Sequence, residues 1–137
     1  MRIAILSKGS SNYSTQRLKQ VAKERGHEVR IINYAKCYIT VEKNTPVVHY
    51  KGEALTGFDA IIPRIAQSYT KYGTAVVRQF EMQGVYTTAS SMAIVRSRDK
   101  LRSYQLLAKA GVGIPKTVFA RETADLDDVI EKAGGSP

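Results

Sequence analysis

The chain has 137 residues, of which 43% are hydrophobic and 24% are charged, as in a soluble globular protein rather than a disordered or fibrous one. Its apolar runs are far shorter than the roughly 20 residues of a membrane-spanning helix, and the first is too short for a signal peptide, so we expect a cytoplasmic protein with no membrane partner. A single cysteine and two isolated histidines exclude an internal disulfide and provide no metal-ligand spacing.

The formal net charge of +9 is concentrated in the first part of the chain. Residues 1–98 hold 15 of the 21 Lys and Arg residues and 6 of the 12 Asp and Glu residues, whereas residues 99–137 hold 6 of each kind. A basic domain favours anionic partners such as a nucleotide, a nucleic acid or an acidic polypeptide. The same asymmetry also fits the basic half of an enzyme whose other half is acidic.

Two apolar runs near the N-terminus predict the start of a parallel sheet. Residues 2–7 and 29–32 are both short and largely apolar, which is typical of a strand buried on both faces. Between them we expect a helix that Ser14 or Thr15 caps and Gly26 ends. These elements form a βαβ unit, whose crossover is right-handed in nearly all proteins.

The following elements extend this pattern after a polar stretch, residues 40–46, that predicts a mobile loop. They are a hairpin over 47–55, a strand over 58–62, a helix over 69–84 and a strand over 85–88. Tyr69, Tyr72 and Phe80 recur at helical spacing and are expected in the core rather than as a base-stacking surface. Residues 1–88 therefore predict an α/β domain with an open, mostly parallel sheet of about four strands and one antiparallel hairpin.

A connecting helix, residues 89–98, and an incomplete second domain, residues 99–137, complete the predicted organisation. The second domain is expected to hold a helix, a strand over 116–120, and a second helix capped by Thr123. The second helix carries an apolar stripe at helical spacing: Leu126, Val129, Ile130 and Ala133. A single strand between two helices does not close a sheet, so this domain is predicted to be unfinished.

The first helix of the second domain carries a candidate anion contact. Asp99 is a natural N-cap, and Gly111 can end the helix in the left-handed conformation. Lys100 then lies in the first turn, where the helix dipole disfavours a cation unless an anion binds beside it. We therefore expect Lys100 to contact a phosphate group, and the alternative is a solvated surface lysine.

Two further candidates follow strands whose carboxyl ends should meet at one edge of the sheet, where α/β proteins bind ligands. The loop after the first strand supplies Ser7, Ser11 and Asn12, although it has one glycine where a dinucleotide-binding loop has three. Arg64 follows a buried strand and presents a guanidinium suited to a carboxylate or phosphate. The alternatives are a plain capped turn for the loop and a salt bridge between Arg64 and Glu81.

The dipeptide Asp99-Lys100, a helix and a Gly-x-x-x-Pro-x-Thr pattern over 111–117 together resemble the segment that opens the nucleotide-binding part of ATP-grasp ligases. Residues 93–108 are similar to the RimK branch of that superfamily. The resemblance continues upstream through motifs in the same order: 49–52, 58–65, 72–75 and 78–82. It covers essentially the whole chain and implies a Rossmann-like pre-ATP-grasp domain followed by the start of an ATP-grasp domain.

The resemblance also implies an activity. Enzymes of the RimK branch are ATP-dependent carbon–nitrogen ligases that add L-glutamate to the acidic C-terminal tail of a ribosomal small-subunit protein through an acyl phosphate, with Mg²⁺ or Mn²⁺. For this sequence the resemblance implies that Lys100 contacts the ATP phosphates, and it makes Arg64, Ser7, Ser11 and Asn12 candidates to bind the acceptor. A homo-oligomer is expected.

The family member that the chain resembles continues with a Val-Val-Lys strand, a glycine-rich loop and acidic metal ligands that this sequence lacks. We therefore expect no catalytic residue, no metal site and no activity in the chain by itself. Two other hypotheses remain open. One is a sister ATP-grasp ligase with another carboxylate acceptor, such as an amino-group-carrier protein or a small peptide. The other is a stand-alone basic α/β module that binds nucleic acid or an acidic protein.

Overall fold

The computed structural model describes residues 1–43, 45–122 and 125–135. The chain divides into two compact units, residues 1–98 and 99–137. The first contains β1 (Arg2–Ser7), α1 (Tyr13–Glu24), β2 (Glu28–Ile32), β3 (Cys37–Glu42), β4 (Thr45–Tyr50), β5 (Glu53–Ala54), β6 (Ala60–Arg64), α2 (Thr70–Met82), β7 (Tyr86–Thr87) and α3 (Ser91–Arg98). The second contains α4 (Lys100–Lys109) and α5 (Leu126–Ala133). Among the residues described, no helix combines the length and hydrophobicity needed to cross a membrane.

The main sheet of the first unit is parallel and has four strands in the order β2-β1-β6-β7. The central strand β1 is continuously apolar because both of its faces are covered, and Ala4, Ile5 and Leu6 are fully buried. The chain leaves β1 for β2 on one side and returns as β6 on the other side. The predicted open parallel sheet is confirmed, and its strand order reverses at β1 and β6.

A second sheet is antiparallel, with the order β3-β4-β5. The predicted hairpin is confirmed, and its turn residues Lys51 and Gly52 both have positive φ, as a type I′ turn requires. The loop predicted over 40–46 is wrong, because β3 pairs with β4 up to Glu42 opposite Thr45. The polar residues of this stretch suggested a loop, but β3 is rich in β-branched residues and is stabilised by its pairing with β4. Residue 44 lies outside the described ranges.

One hydrophobic core joins the two sheets and helix α2. Leu6 and Ile32 enter it from the parallel sheet, Val48 from the antiparallel sheet, and Val76 and Phe80 from α2. The expected core position is thus confirmed for Phe80.

The other two aromatic residues of that stripe differ from Phe80. Tyr69 is partly buried against the core. Tyr72 is 39% exposed, and its hydroxyl donates to the Cys37 carbonyl, so its predicted core position is wrong. A polar group that needs a partner keeps this ring at the edge of the core.

An ion pair also links the two sheets at the surface. The Arg30 guanidinium on β2 donates to both carboxylate oxygens of Glu53 on β5, at 2.9 and 2.7 Å. This hydrogen bonding lowers the pKa of Glu53 and raises that of Arg30. Because both groups are solvated, the pair orients the sheets more than it stabilises them.

Helix α1 begins before the residues expected to cap it. Asn12 occupies the N-cap position, and Ser14 and Thr15 lie within the first turn, so the predicted caps are wrong. The two hydroxyl groups form tertiary contacts instead: Thr15 Oγ1 lies 3.2 Å from Ser7 Oγ, and Ser14 Oγ accepts a hydrogen bond from Arg64.

Among its described residues, 99–122 and 125–135, the second unit has the helices α4 and α5. The Asp99 carboxylate accepts the backbone N–H of Arg102 at 3.0 Å, which confirms the predicted N-cap of α4. At the other end Gly111 has φ of 72°, and the Val112 N–H reaches the Leu107 carbonyl at 3.0 Å, as in a Schellman motif.

The strand predicted over 116–120 is wrong, because those residues form no strand and pair with no other described segment. A strand needs a neighbour for its backbone hydrogen bonds, and composition alone does not supply one. Helix α5 begins at Leu126, and the predicted cap Thr123 lies outside the described residues.

We predict that Gly73→Ala destabilises the first unit. Gly73 lies in α2 where a Cβ would clash with Cγ2 of buried Ile65 and lie 3.0 Å from its Cδ1. Overpacking costs about 1–3 kcal/mol and outweighs the gain of about 1 kcal/mol in helix propensity. Urea denaturation measures the difference. Arg78→Ala, on the exposed side of the same helix, is the control and should change stability by less than about 0.5 kcal/mol. A Gly73→Ala variant as stable as the parent would contradict this packing.

We also predict that Cys37 does not react with thiol reagents in the native protein. The residue is 4% exposed, and burial raises the pKa of its thiol to about 11. At pH 8 about 0.1% is then thiolate, the reactive form. Because the folded-state pKa exceeds the ordinary value of 9.0, the thiol contributes stability below pH 9.0 that is lost as pH rises towards about 11. Labelling with 5,5′-dithiobis(2-nitrobenzoate) should be fast in urea and negligible without it; equal rates would contradict the burial.

Candidate anion-binding site at the sheet edge

A cavity of about 580 Å³ lies at the carboxyl ends of β1 and β6. This is where the strand order reverses, and ligands of open α/β sheets bind at such points. All of the lining residues belong to the first unit: Ser7, Lys8, Gly9, Asn12, Tyr34, Pro63, Arg64, Ile65, Ala66, Ile94, Ser97 and Arg98. The volume suits a ligand of the size of an amino acid or larger.

The charges around this cavity are all positive. Lys8, Arg64 and Arg98 line it, and none of the lining residues is acidic. The interactions that the structure gives these cations are with neutral groups. Their charge is therefore available to an anion, and the arrangement suits a carboxylate or phosphate.

The strand-end loop brings two of its three predicted residues to the cavity. Ser7 and Asn12 line it, and Ser11 does not. The Ser7 hydroxyl is buried and donates to the Gly9 carbonyl at 3.1 Å. A Cβ at Gly9 would lie 2.5 Å from the nitrogen of the Asn12 side-chain amide, so a larger residue there would displace the Asn12 side chain.

Arg64 is positioned by strand pairing. It lies opposite Ser7 in the β1–β6 register, and its Nη2 donates to Ser14 Oγ at 2.7 Å. The alternative salt bridge to Glu81 is wrong, because the Glu81 carboxylate accepts hydrogen bonds from the backbone and hydroxyl of Ser91, at 2.7 and 2.6 Å. Glu81 thereby fixes the start of α3, and the Arg64 guanidinium stays at the cavity.

An aromatic contact that was not predicted holds Lys8 at the cavity. Lys8 Nζ donates to the Tyr69 hydroxyl at 3.2 Å and lies 4.3 Å from the ring centroid. The Tyr69 ring meets the buried Tyr34 edge-on, and the Tyr34 hydroxyl accepts the Ala66 N–H at 2.9 Å. These contacts hold the lysine at the cavity through a neutral partner.

Arg98 is a further basic residue of the cavity that the sequence did not predict there. Its Nη2 donates to the Ile65 carbonyl at 2.8 Å, so the end of α3 is tied to the segment after β6. The sequence offered no signal for this contact, because the two residues are 33 positions apart.

Lys100 belongs to the second unit, whereas the residues that line the cavity belong to the first. It is the first residue of α4, directly after the N-cap Asp99, and its side chain is exposed. Its expected contact with phosphate stays a prediction. Within residues 1–43, 45–122 and 125–135, no cluster of three acidic, histidine or cysteine side chains could hold a metal ion. The residues present therefore do not fit the Mg²⁺ that the resemblance implies.

Comparison with known proteins relates this architecture to a family. Residues 1–94 match the RimK PreATP-grasp domain, and residues 97–137 match the RimK-like ATP-grasp domain. Similar curated proteins include a "Probable alpha-L-glutamate ligase" of Hydrogenovibrio crunogenus, 60% identical over 100% of this chain and 46% of that protein. Proteins of the same name from Nitrosococcus oceani and Vibrio cholerae are 57% and 56% identical over the same shares.

The chain thus spans about half the length of the curated relatives it matches, 46% in each of these three cases. The first domain match alone covers more than half of the 137 residues, and the parallel sheet agrees with it. The chain therefore belongs to the RimK family, with a RimK pre-ATP-grasp domain followed by RimK-like ATP-grasp sequence.

Proposed function

We propose that this chain is the N-terminal part of an ATP-dependent carbon–nitrogen ligase that adds L-glutamate to the carboxyl end of an acidic acceptor. The observation that carries the proposal is the cavity at the β1–β6 edge, which has three cationic side chains and no acidic one. The name "Probable alpha-L-glutamate ligase" of the relatives supports the reaction class. The acceptor we propose is the acidic C-terminal tail of a ribosomal small-subunit protein.

The cavity residues suit a carboxylate-bearing acceptor in distinct ways. Arg64 offers a planar guanidinium that can bind a carboxylate with two hydrogen bonds. Lys8 adds a point charge, and Asn12 adds an amide. Because Ser7 already donates to a backbone carbonyl, we assign it to shaping the loop rather than to direct binding. Ser11, outside the lining, is the weakest of the sequence candidates.

The reaction class makes specific demands on these residues. The acceptor carboxylate takes the terminal phosphoryl group of ATP to give an acyl phosphate and ADP. The glutamate amine then attacks the acyl carbon, and phosphate leaves as the carbon–nitrogen bond forms. Lys8, Arg64 and Arg98 would hold the acceptor against the charge of the incoming phosphate, which otherwise repels it. Lys100 would contact the ATP phosphates from the first turn of α4.

The described residues do not fit a metal site. In the proposed ligase, a divalent metal would therefore be held by residues outside those described. The cytoplasmic location and the homo-oligomeric state stay predictions from the sequence. A sister ligase with another carboxylate acceptor would use the same cavity. The basic charge of residues 1–98 also suits a stand-alone module that binds nucleic acid or an acidic protein.

We predict opposite kinetic effects for two substitutions in the full-length protein that carries this chain. Lys100→Ala should weaken ATP binding by about 1.5–3 kcal/mol, or about 10- to 150-fold, and leave the KM for the acceptor nearly unchanged. Arg64→Ala should raise the KM for the acceptor and leave that for ATP nearly unchanged. Initial rates with each substrate varied in turn measure both.

Matched controls remove the same kind of charge elsewhere. The controls are Arg102→Ala and Arg78→Ala. Arg102 lies in α4 two residues after Lys100, and Arg78 lies on the exposed face of α2. Both should behave as the parent. Lys100→Arg should recover part of the ATP affinity, since a planar fork does not replace a point charge. Unchanged ATP affinity in a folded Lys100→Ala variant would make Lys100 a solvated surface residue.

We predict that the 137-residue polypeptide by itself neither hydrolyses ATP nor ligates glutamate. The described residues include no carboxylate cluster able to hold the metal that phosphoryl transfer needs. Incubation with ATP, Mg²⁺, glutamate and an acceptor peptide should release no ADP, as measured by a coupled assay. Steady turnover that survives further purification would show that this polypeptide contains a complete active site.

A further inference from the structure

A second concavity, of about 350 Å³, borders the anion-binding cavity along helix α1. We call it the α1 groove, and it is lined by Tyr13, Ser14, Arg17, Leu18, Val21 and Arg64. Arg64 lines both the groove and the cavity, so the two adjoin at this residue. Apart from Arg64, the residues of the groove have no role in the acceptor binding proposed above.

The two arginines of the groove, Arg17 and Arg64, meet at the first turns of α1. Arg64 Nη2 donates to Ser14 Oγ at 2.7 Å, which places this guanidinium against the first turn of α1. Ser14 and Arg17 are three residues apart and therefore share one face of the helix, with about 5–6 Å between their Cβ atoms. An extended peptide advances about 3.3–3.6 Å per residue. Two consecutive residues of one bound peptide can therefore extend along this face of α1.

The composition of the groove selects the kind of residue that fits. It contains two guanidinium groups and no acidic side chain among its lining residues. Its remaining walls are largely apolar, including the half-buried Leu18 and the ring of Tyr13, which is 83% exposed. A glutamate side chain combines methylene carbons with a carboxylate, and it complements both features.

Arg17 is free to bind a ligand. Its contact with Glu24 is long, at 4.0 Å between Nη1 and Oε1, and both side chains are about half exposed. An exposed pair of this kind stabilises the helix little. Exchanging Glu24 for a ligand carboxylate therefore costs little.

We propose that the α1 groove is a second acceptor subsite that recognises the residue before the terminal one. Arg17 binds the side-chain carboxylate of that penultimate residue, while Tyr13 and Leu18 pack against its methylene carbons. The inference rests on the proposed function, in which the cavity holds the acceptor's terminal residue. It makes Arg17 a specificity-determining residue, so acceptors with a penultimate glutamate are preferred over those with an uncharged residue of the same shape.

The test compares two acceptor peptides that differ only in a penultimate Glu or Gln, using the full-length protein. The parent should show a kcat/KM about 5- to 10-fold higher for the Glu peptide. In Arg17→Gln this ratio should fall to about 1, with kcat/KM for the Gln peptide unchanged. Lys23→Gln, on the same helix but outside the groove, should keep the parent's ratio.

A binding measurement separates failure of this inference from failure of the proposed function. In the ¹⁵N spectrum of the 137-residue chain, the Glu peptide should shift the Nε resonances of Arg17 and Arg64, and the Gln peptide only that of Arg64. A shift at Arg64 alone with both peptides, together with an unchanged kinetic ratio in Arg17→Gln, would overturn the subsite and leave the proposed function standing. No shift at either arginine would overturn both.

Discussion

The pairing of β1 with β6 is the constraint on which the sheet edge depends. This register sets Ser7 beside Arg64, and a slip of one residue would turn every side chain of a strand to the other face. The segment after β6 is held in turn by Ile65, which packs against Gly73 of α2 and accepts the Arg98 guanidinium on its carbonyl. The shape of the cavity therefore depends on three features: the β1–β6 register, the contact between Ile65 and Gly73, and the position of the end of α3.

The cavity cations are held in place without being neutralised. Lys8 is bound by a tyrosine hydroxyl, Arg64 by a serine hydroxyl and Arg98 by a backbone carbonyl. In the part of the chain that the structure describes, none of the ion pairs involves these three residues. These neutral hydrogen-bond partners fix the direction of each side chain without neutralising its positive charge. The three cations therefore repel one another to some extent, and a bound anion would relieve this repulsion.

Structural features that depend on a few adjacent residues could be predicted from the sequence. The buried strand β1, the cap at Asp99 and the glycine end of α4 at Gly111 each follow from local chemistry. The failures involve partners distant in sequence: β3 within a supposed loop, the absent strand over 116–120, and Thr15, which faces Ser7 instead of capping its helix. Of the site, Ser7, Asn12 and Arg64 were foreseeable from strand ends, whereas the place of Arg98 depends on packing across the fold.

The separation in sequence between β1 and β6 has a consequence for how the unit assembles. The Arg2 N–H bonds the Asp59 carboxylate across 57 positions, and the strands that lie side by side enclose α1, β2 and the whole antiparallel sheet in the loop between them. Closing so long a loop costs entropy before its contacts offset it, and topologies rich in such contacts fold slowly. During synthesis, β1, α1 and β2 can associate first as a local unit. The cavity at the β1–β6 edge, which residues from Ser7 to Arg98 line, is completed only when the last helix of the unit has emerged and docked.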